Sequence, residues 1–326
     1  MILLSILGKS LGMLRDIMVT KYLGFGTNTD ALLLAIAIPT LIFSIFQTSI
    51  RTTFAPLFAK SYKENNIKAV YDFNLLKNFL LLLIIILCVL LLHNSSLLIK
   101  IFSPGLNQST ALITKRYLDL SLWLILTYGF FYIFTGFLQS IKIFTTLEVA
   151  GIFNNVVIIL FVVNFYDKYG GLAVVYGYLA GSIIQAIYSY IITIIKSTYK
   201  PQIFNLKSIK IIPKYLNLSK YIFAGSFVTQ ISSVSDKFFA SFLKPGSITA
   251  LNYANLIKNL PQTILILTIT NVLFSDMAIY HKEDKDKFNK LVNKQLEIIL
   301  LILLLITTVF LCFSKEIITI LFLRGS

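Results

Sequence analysis

Charge is scarce in this chain. Only 13% of its 326 residues are Asp, Glu, Lys or Arg, and acids are the scarcer sign, 14 against 29 basic residues. A soluble domain needs roughly a quarter of its residues charged to cover its surface, so a water-facing globular fold is excluded. Cysteine and histidine are almost absent. Cys88 and Cys312 lie in apolar runs without metal-type spacing and read as plain hydrophobes. His93 and His281 stand at the ends of apolar segments with no second ligand at a suitable spacing, which leaves metal catalysis without support. A Walker loop, a nucleophile elbow and a dinucleotide fingerprint are all missing. The expectation is a protein that is not an enzyme, with no metal site and no organic cofactor.

What is present is apolar. Hydrophobic residues make up 57% of the chain and the mean hydropathy is +0.82. The runs are long enough to cross a bilayer as helices, about 20 residues each, and lack the ten-residue alternation of a membrane barrel. The chain therefore reads as an all-α integral membrane protein, a polytopic helical bundle. About nine spans are expected, at Ile2–Leu23, Ala31–Phe58, Leu75–Leu92, Leu118–Leu138, Val149–Phe165, Leu172–Ile195, Tyr221–Leu243, Thr249–Tyr280 and Leu296–Phe313. The opening segment has neither a basic n-region nor a small-residue cleavage site and is expected to stay as the first helix.

Lysine and arginine orient the bundle. They crowd the even-numbered connections, at Lys60, Lys63 and Lys68, at Lys142, in the run from Lys196 to Lys220, and from Lys282 to Lys294. The odd-numbered connections hold fewer, chiefly Lys100, Lys115, Arg116, Lys168 and Lys244. Even loops thus face the cytoplasm, as does the N-terminus. The net charge of +15 sits beside membrane helices, where topology and anionic headgroups account for it, and a nucleic-acid partner is not expected. The connection 196–220 contains Pro201 and Pro213 and carries no acid. It divides an N-terminal lobe, 1–195, from an incomplete C-terminal lobe, 221–326, as a basic cytoplasmic linker.

Charges inside the first apolar segments, Lys9, Arg15, Asp16 and Asp30, mark a site by default, because burying them in a bilayer is costly. Two glycine pairs, Gly8 with Gly12 and Gly177 with Gly181, have the small-xxx-small spacing that lets membrane helices approach closely. The aromatic run from Tyr128 to Phe134 reads as packing or an interfacial belt.

The segment LGMLRDIMVTKYLGFGTNTDALLLAIAIPTLIFSIF, followed by FAPLFAKSY, resembles the opening of the MurJ/MviN family of lipid II flippases, a branch of the multidrug/oligosaccharidyl-lipid/polysaccharide exporter superfamily. IFSPGL, GGLAVVYGYLAGSIIQ, DKFFASFLKPGSITALNYANLIKNLP and ILFLRGS are similar to later family motifs, in order. The resemblance implies a two-lobed, V-shaped transporter of the bacterial plasma membrane. It would carry an undecaprenyl-diphosphate-linked peptidoglycan precursor from the inner to the outer leaflet by alternating access. It also implies further helices after the ninth span, so the chain is expected to be C-terminally truncated.

Moving a diphosphate through the membrane calls for fixed cations, and arginine suits the task because its fork meets phosphate oxygens bidentately. By resemblance, Arg15 and Lys21 are candidate phosphate contacts, and Asp30 orients Arg15. Other readings stay open: Arg15 pairing with Asp16 or Asp30 to hold helices together, Lys21 snorkelling to the interface, and Asp30 favouring a helix N-terminus. Pro39 is a candidate kink in a cavity wall. Two arginines typical of the family after this proline are replaced by Thr40–Ser44, and Arg51 is the candidate substitute. Lys258 is the candidate replacement for an arginine of the eighth helix. Asp236 could belong to a sodium site incomplete within this sequence, or pair with Lys237 or Lys258. The driving force would be sodium or membrane potential, and the partners the lipid-linked glycan diphosphate, membrane lipids and cell-wall synthesis proteins. A flippase for another polyprenyl-linked glycan, a drug exporter of the same superfamily and an inactive fragment are the alternatives.

Overall fold

The computed structural model describes residues 2–202, 211–259 and 285–322. All regular structure in them is helical: α1 (Ile2–Leu23), α2 (Thr27–Glu64), α3 (Asn66–His93), α4 (Ser95–Phe102), α5 (Gln108–Ser121), α6 (Leu124–Ser140), α7 (Thr145–Tyr169), α8 (Gly171–Lys196), α9 (Ile211–Ala240), α10 (described over 247–259) and α11 (Lys285–Phe322). Six helical stretches among the described residues are long and apolar enough to cross a membrane: α2, α3, the pair α5 and α6 together, α7, α8 and Glu297–Ile317 of α11. Helices α1 and α9 each carry four charged residues, which lowers their hydropathy, but 22 and 30 residues give ample length at about 1.5 Å per residue.

Several sequence boundaries need correction, α3 for one starting at Asn66, nine residues before the expected Leu75. The span expected at Leu118–Leu138 starts ten residues earlier, at Gln108, and breaks into α5 and α6 around Leu122 and Trp123. The short α4 precedes it as a separate amphipathic helix. Of the eighth expected span, 249–280, everything after residue 259 lies outside the described residues. Residues 197–202 of the basic connection carry no regular structure, and α9 already begins at Ile211, so Lys214 and Lys220 are helical.

Contacts divide the chain into two compact units, Met1–Thr249 and Ala250–Ser326. In the first, α2 is the central helix, touching α3, α5, α6 and α9, while α7 packs along α8 and α1 along α7. It runs unbroken through Pro39 and Pro56. The Thr40 hydroxyl, next to the missing amide, donates to the Ile36 and Ala37 carbonyls, both at 2.9 Å.

Lipid tails give helices no hydrophobic reason to associate, so close packing has to hold them. An aromatic cluster of Phe54, Phe58, Phe73, Phe134 and Phe137 fills the centre, with the Phe73 and Phe137 rings stacked at 4.1 Å and their neighbours meeting edge to face. The aromatic run of α6 thus serves packing. The glycine pairs differ. A Cβ at Gly177 would lie 3.0–3.1 Å from Phe161 and Ile158 of α7, and one at Gly181 would collide with Asn154. At Gly8 and Gly12 the nearest atoms of α7 stand off at 3.8 and 3.6 Å. Only the α8 pair requires glycine for close approach.

In the second unit, α11 presents Leu300, Leu301, Leu304, Leu305 and Leu311 to the outside, each more than 60% exposed. A cavity of about 170 Å³ lies between α10 and α11, lined by Lys258, Phe310 and Ser314 among others.

Candidate functional site

Arg15 sits two-thirds of the way along α1. Its Nε and Nη2 donate to Asp16 Oδ1 at 3.0 and 2.9 Å, and its Nη1 donates to Asn155 Oδ1 of α7 at 2.9 Å. The Asn155 amide in turn donates to the Gly8 carbonyl at 3.1 Å, which ties α7 to the preceding turns of α1. The guanidinium carbon lies 5.3 Å from the centre of the Tyr178 ring of α8. Both charged side chains are largely covered, at 19% and 17% exposure. A guanidinium has five N–H donors, and these bonds use three, so two are left for a ligand. The pairing with Asp16 makes the cation affordable at this depth, since a buried charge stripped of its partner costs about 3–5 kcal/mol.

Asp30 does something else, and the expected pairing with Arg15 is not formed. Its Oδ2 accepts from the Gly246 amide at 2.6 Å, and its Oδ1 accepts from the Thr249 amide at 2.8 Å and the Thr249 hydroxyl at 2.5 Å. The carboxylate is 3% exposed and caps the turn from which α10 starts, where free amides and the helix dipole favour an anion. Gly246 reaches this position with φ of 92°, a left-handed conformation that suits glycine. Nearby, the Gly105 amide donates to Ser241 Oγ at 3.0 Å, and a Cβ at Gly105 would sit 2.7 Å from the Phe242 backbone nitrogen. The first turn of α2 at Asp30, the SPG turn at Gly105 and the KPG turn at Gly246 therefore converge on one cluster.

The other candidates are more loosely placed. Lys21 and Arg51 are exposed and form no ion pair with a carboxylate among the described residues. Arg51 lies within electrostatic reach of Tyr132. Lys258 is exposed at the rim of the α10–α11 cavity. Asp236 is exposed on α9, and no ion pair to Lys237 forms. Among the described residues no group of three or more His, Cys, Asp or Glu side chains could hold a metal ion.

Two polar groupings escaped the sequence reading. One is the pair Asn154 and Asn155, visible as two adjacent amides in the apolar helix α7 and therefore findable. The other surrounds Lys77 of α3, 8% exposed, whose Nζ donates to Asn74 Oδ1 and to the Tyr199 hydroxyl, both at 3.0 Å. The Asn74 amide donates to the Lys200 carbonyl at 2.9 Å, which docks the 197–202 segment on α3.

The family model described as "Lipid II flippase MurJ" matches residues 19–326. This chain belongs to the MurJ family. Among curated relatives, the probable lipid II flippase MurJ of Buchnera aphidicola (Acyrthosiphon pisum) is 26% identical over 331 residues, covering 99% of this chain and 64% of the relative. That of Aquifex aeolicus is 27% identical, covering 98% and 63%. The chain thus spans less than two thirds of the length of these relatives. A solved structure titled "Lipid II flippase MurJ, inward closed conformation" matches with a TM-score of 0.83 and 26% identity, over 100% of this chain and 68% of that one. An inward-facing multidrug resistance transporter of the MATE family matches with a TM-score of 0.68 at 13% identity, a likeness of fold alone. Membership of the MurJ family, with its apolar helices, makes the chain a multi-pass protein of the bacterial inner membrane.

Proposed function

We propose that this chain is part of a flippase that moves an undecaprenyl-diphosphate-linked peptidoglycan precursor, lipid II, from the inner to the outer leaflet by alternating access. The observation that carries the reading is Arg15, a membrane-embedded cation that Asp16 and Asn155 hold in place with two N–H groups to spare. A diphosphate offers the acceptors those donors need. The cluster joining Asp30 to the turn at Gly246–Thr249, and Gly105 to Ser241, acts in this reading as the outer seal, which has to open before the headgroup leaves. Lys21, Arg51 and Lys258 belong to the proposal as further cations along the route, Pro39 as a bending point of α2, and Asp236 as a member of a sodium site. Sodium or the membrane potential drives the cycle, and cell-wall synthesis proteins receive the product. The lobe over 1–195, the basic cytoplasmic segment 196–220 and the lobe opening at 221 form the frame of the same reading.

The test is complementation of a bacterium depleted of its own lipid II flippase, with this chain and with a version extended to the length of its relatives, membrane insertion being checked in both. Rescue by an inserted form supports the proposal. Failure of both inserted forms turns it toward another polyprenyl-linked glycan, with the missing cations after Pro39 as the reason.

A further inference from the structure

A polar cavity lies beyond the C-terminal end of α1, away from Arg15, where the α1–α2 turn, α5 and the α7–α8 junction meet. Its volume is about 310 Å³, and Asn28, Arg116, Tyr117, Tyr166, Tyr169 and Gly171 are among its lining residues. Arg116 is the sole charged side chain in the lining, is exposed, and pairs with no carboxylate among the described residues. Asp30 on α2, Asp119 on α5 and Asp167 on α7 are the acids closest in sequence to the lining residues; none of them lines the cavity, and Asp30 is taken up by Gly246 and Thr249.

Tyr117 is 8% exposed, yet its hydroxyl hydrogen-bonds to no described residue. The phenol is buried as a side chain and lines the cavity, so its hydroxyl is available to a ligand oxygen there. The hydroxyl lies against the first residue of α8, so close to Gly171 that any Cβ there would collide with it. Helix α8 is 26 residues long, its N-cap is Gly170 with φ of 56°, and no side chain caps it. The Ala173 amide is taken by the Gly170 carbonyl, and Gly171 and Leu172, which precede it, line the cavity with Tyr117 and Arg116. Lys168 adds positive charge from 5.2 Å above the Tyr169 ring.

We propose that this cavity binds a phosphate group at the outer face of the membrane, held by Arg116, the Tyr117 hydroxyl and the N-terminal amides of α8. A tetrahedral oxyanion has enough acceptors for all three kinds of donor, and a helix N-terminus favours its charge. The phosphate can come from an outer-leaflet phospholipid headgroup or from a soluble phosphate. The inference does not depend on the transport reading.

Two arms distinguish the sources. In the first, the whole chain is placed in nanodiscs of phosphatidylglycerol mixed with an uncharged, phosphate-free glycolipid, and the phospholipids it retains are counted by native mass spectrometry. In the second, pyrophosphate is titrated calorimetrically into the chain in nanodiscs of the glycolipid alone. Arg116→Ala should retain one phospholipid fewer than the wild type, or weaken pyrophosphate binding about tenfold. Tyr117→Phe, which keeps the ring in place, should weaken it about threefold to fivefold, and Lys115→Ala, beside the cavity, should change nothing. A difference in the first arm identifies a lipid headgroup, and one in the second a soluble phosphate. Equal behaviour of wild type, Arg116→Ala and Tyr117→Phe in both arms overturns the proposal.

Discussion

The bundle neutralises two carboxylates, Asp16 and Asp30, in different ways. Asp16 faces a guanidinium, and both partners keep a little exposure. Asp30 is almost fully enclosed and forms no ion pair among the described residues, its charge being spread over two backbone amides and a hydroxyl. An ion pair can trade one partner for another anion without moving its helices, because side chains alone rearrange. A carboxylate saturated by the turn at a helix start cannot let go unless the loops separate. The first arrangement suits a site that receives a ligand, and the second suits a fastening between elements.

The largest effect should come from the guanidinium. In a full-length version, Arg15→Ala is expected to abolish rescue of a flippase-depleted strain while leaving insertion intact. Losing one bidentate phosphate contact costs about a hundredfold in affinity. Arg15→Lys should recover little, because an ammonium cannot serve Asp16, Asn155 and a phosphate in the same fork geometry. Normal rescue by the inserted Arg15→Ala protein would remove the residue from the mechanism and reduce the Asp16 pair to scaffolding.

At Asp30 the loss should appear in stability first. Asp30→Ala strands the Gly246 and Thr249 donors and is expected to cost about 2–3 kcal/mol, seen as a lower melting temperature in detergent. It should also raise the reactivity of a Ser241→Cys reporter in the adjoining loop. Asp30→Asn keeps an acceptor and should fall between. If the reporter stays silent although the protein melts earlier, the cluster is packing and no fastening.

The glycine pairs sharpen the same contrast between tight and loose contacts. Gly181→Ala drives a methyl into Asn154 and should cost about 1–3 kcal/mol. Gly8→Ala, with 3.8 Å of clearance, should stay within about 0.5 kcal/mol. Similar melting temperatures for both variants would show that α7 and α8 have room to part.

The helices and the site differ in how far the sequence discloses them. Apolar runs of spanning length report directly on α2, α3, α7 and α8, because a bilayer imposes one length and one polarity. The break at Leu122 and Trp123 carries no such mark: Ser-Leu-Trp-Leu contains neither glycine nor proline, and the hydropathy runs on across it. Within the site, Arg15 and Asp30 stand out as charges in apolar surroundings, but their partners come from distant positions. Asn155 lies 140 residues from Arg15, and Thr249 lies 219 from Asp30. Only the packing of α7 on α1, and the meeting of the outer loops, settles which charge answers which.

The smallest expected effect concerns Lys77, the buried cation that sequence reasoning passed over because it stands near the start of a span. Its ammonium has two neutral acceptors, Asn74 Oδ1 and the Tyr199 hydroxyl, and the ring of Tyr199 lies 5.5 Å away. Burial pushes the Tyr199 hydroxyl well above its ordinary pKa, so it stays protonated and accepts through a lone pair. Tyr199→Phe removes that acceptor but keeps the ring, and should cost about 1 kcal/mol. The loss should be local, because the same tyrosine anchors residues 197–202 on α3 together with the Asn74–Lys200 bond. Trypsin cleavage after Lys200 should therefore quicken in Tyr199→Phe at a nearly unchanged melting temperature. Unchanged cleavage would mean that the bonds with Asn74, Asn78 and Tyr62 hold the segment down without the Tyr199 hydroxyl, and that Lys77 is stabilised by the ring face as much as by the hydroxyl.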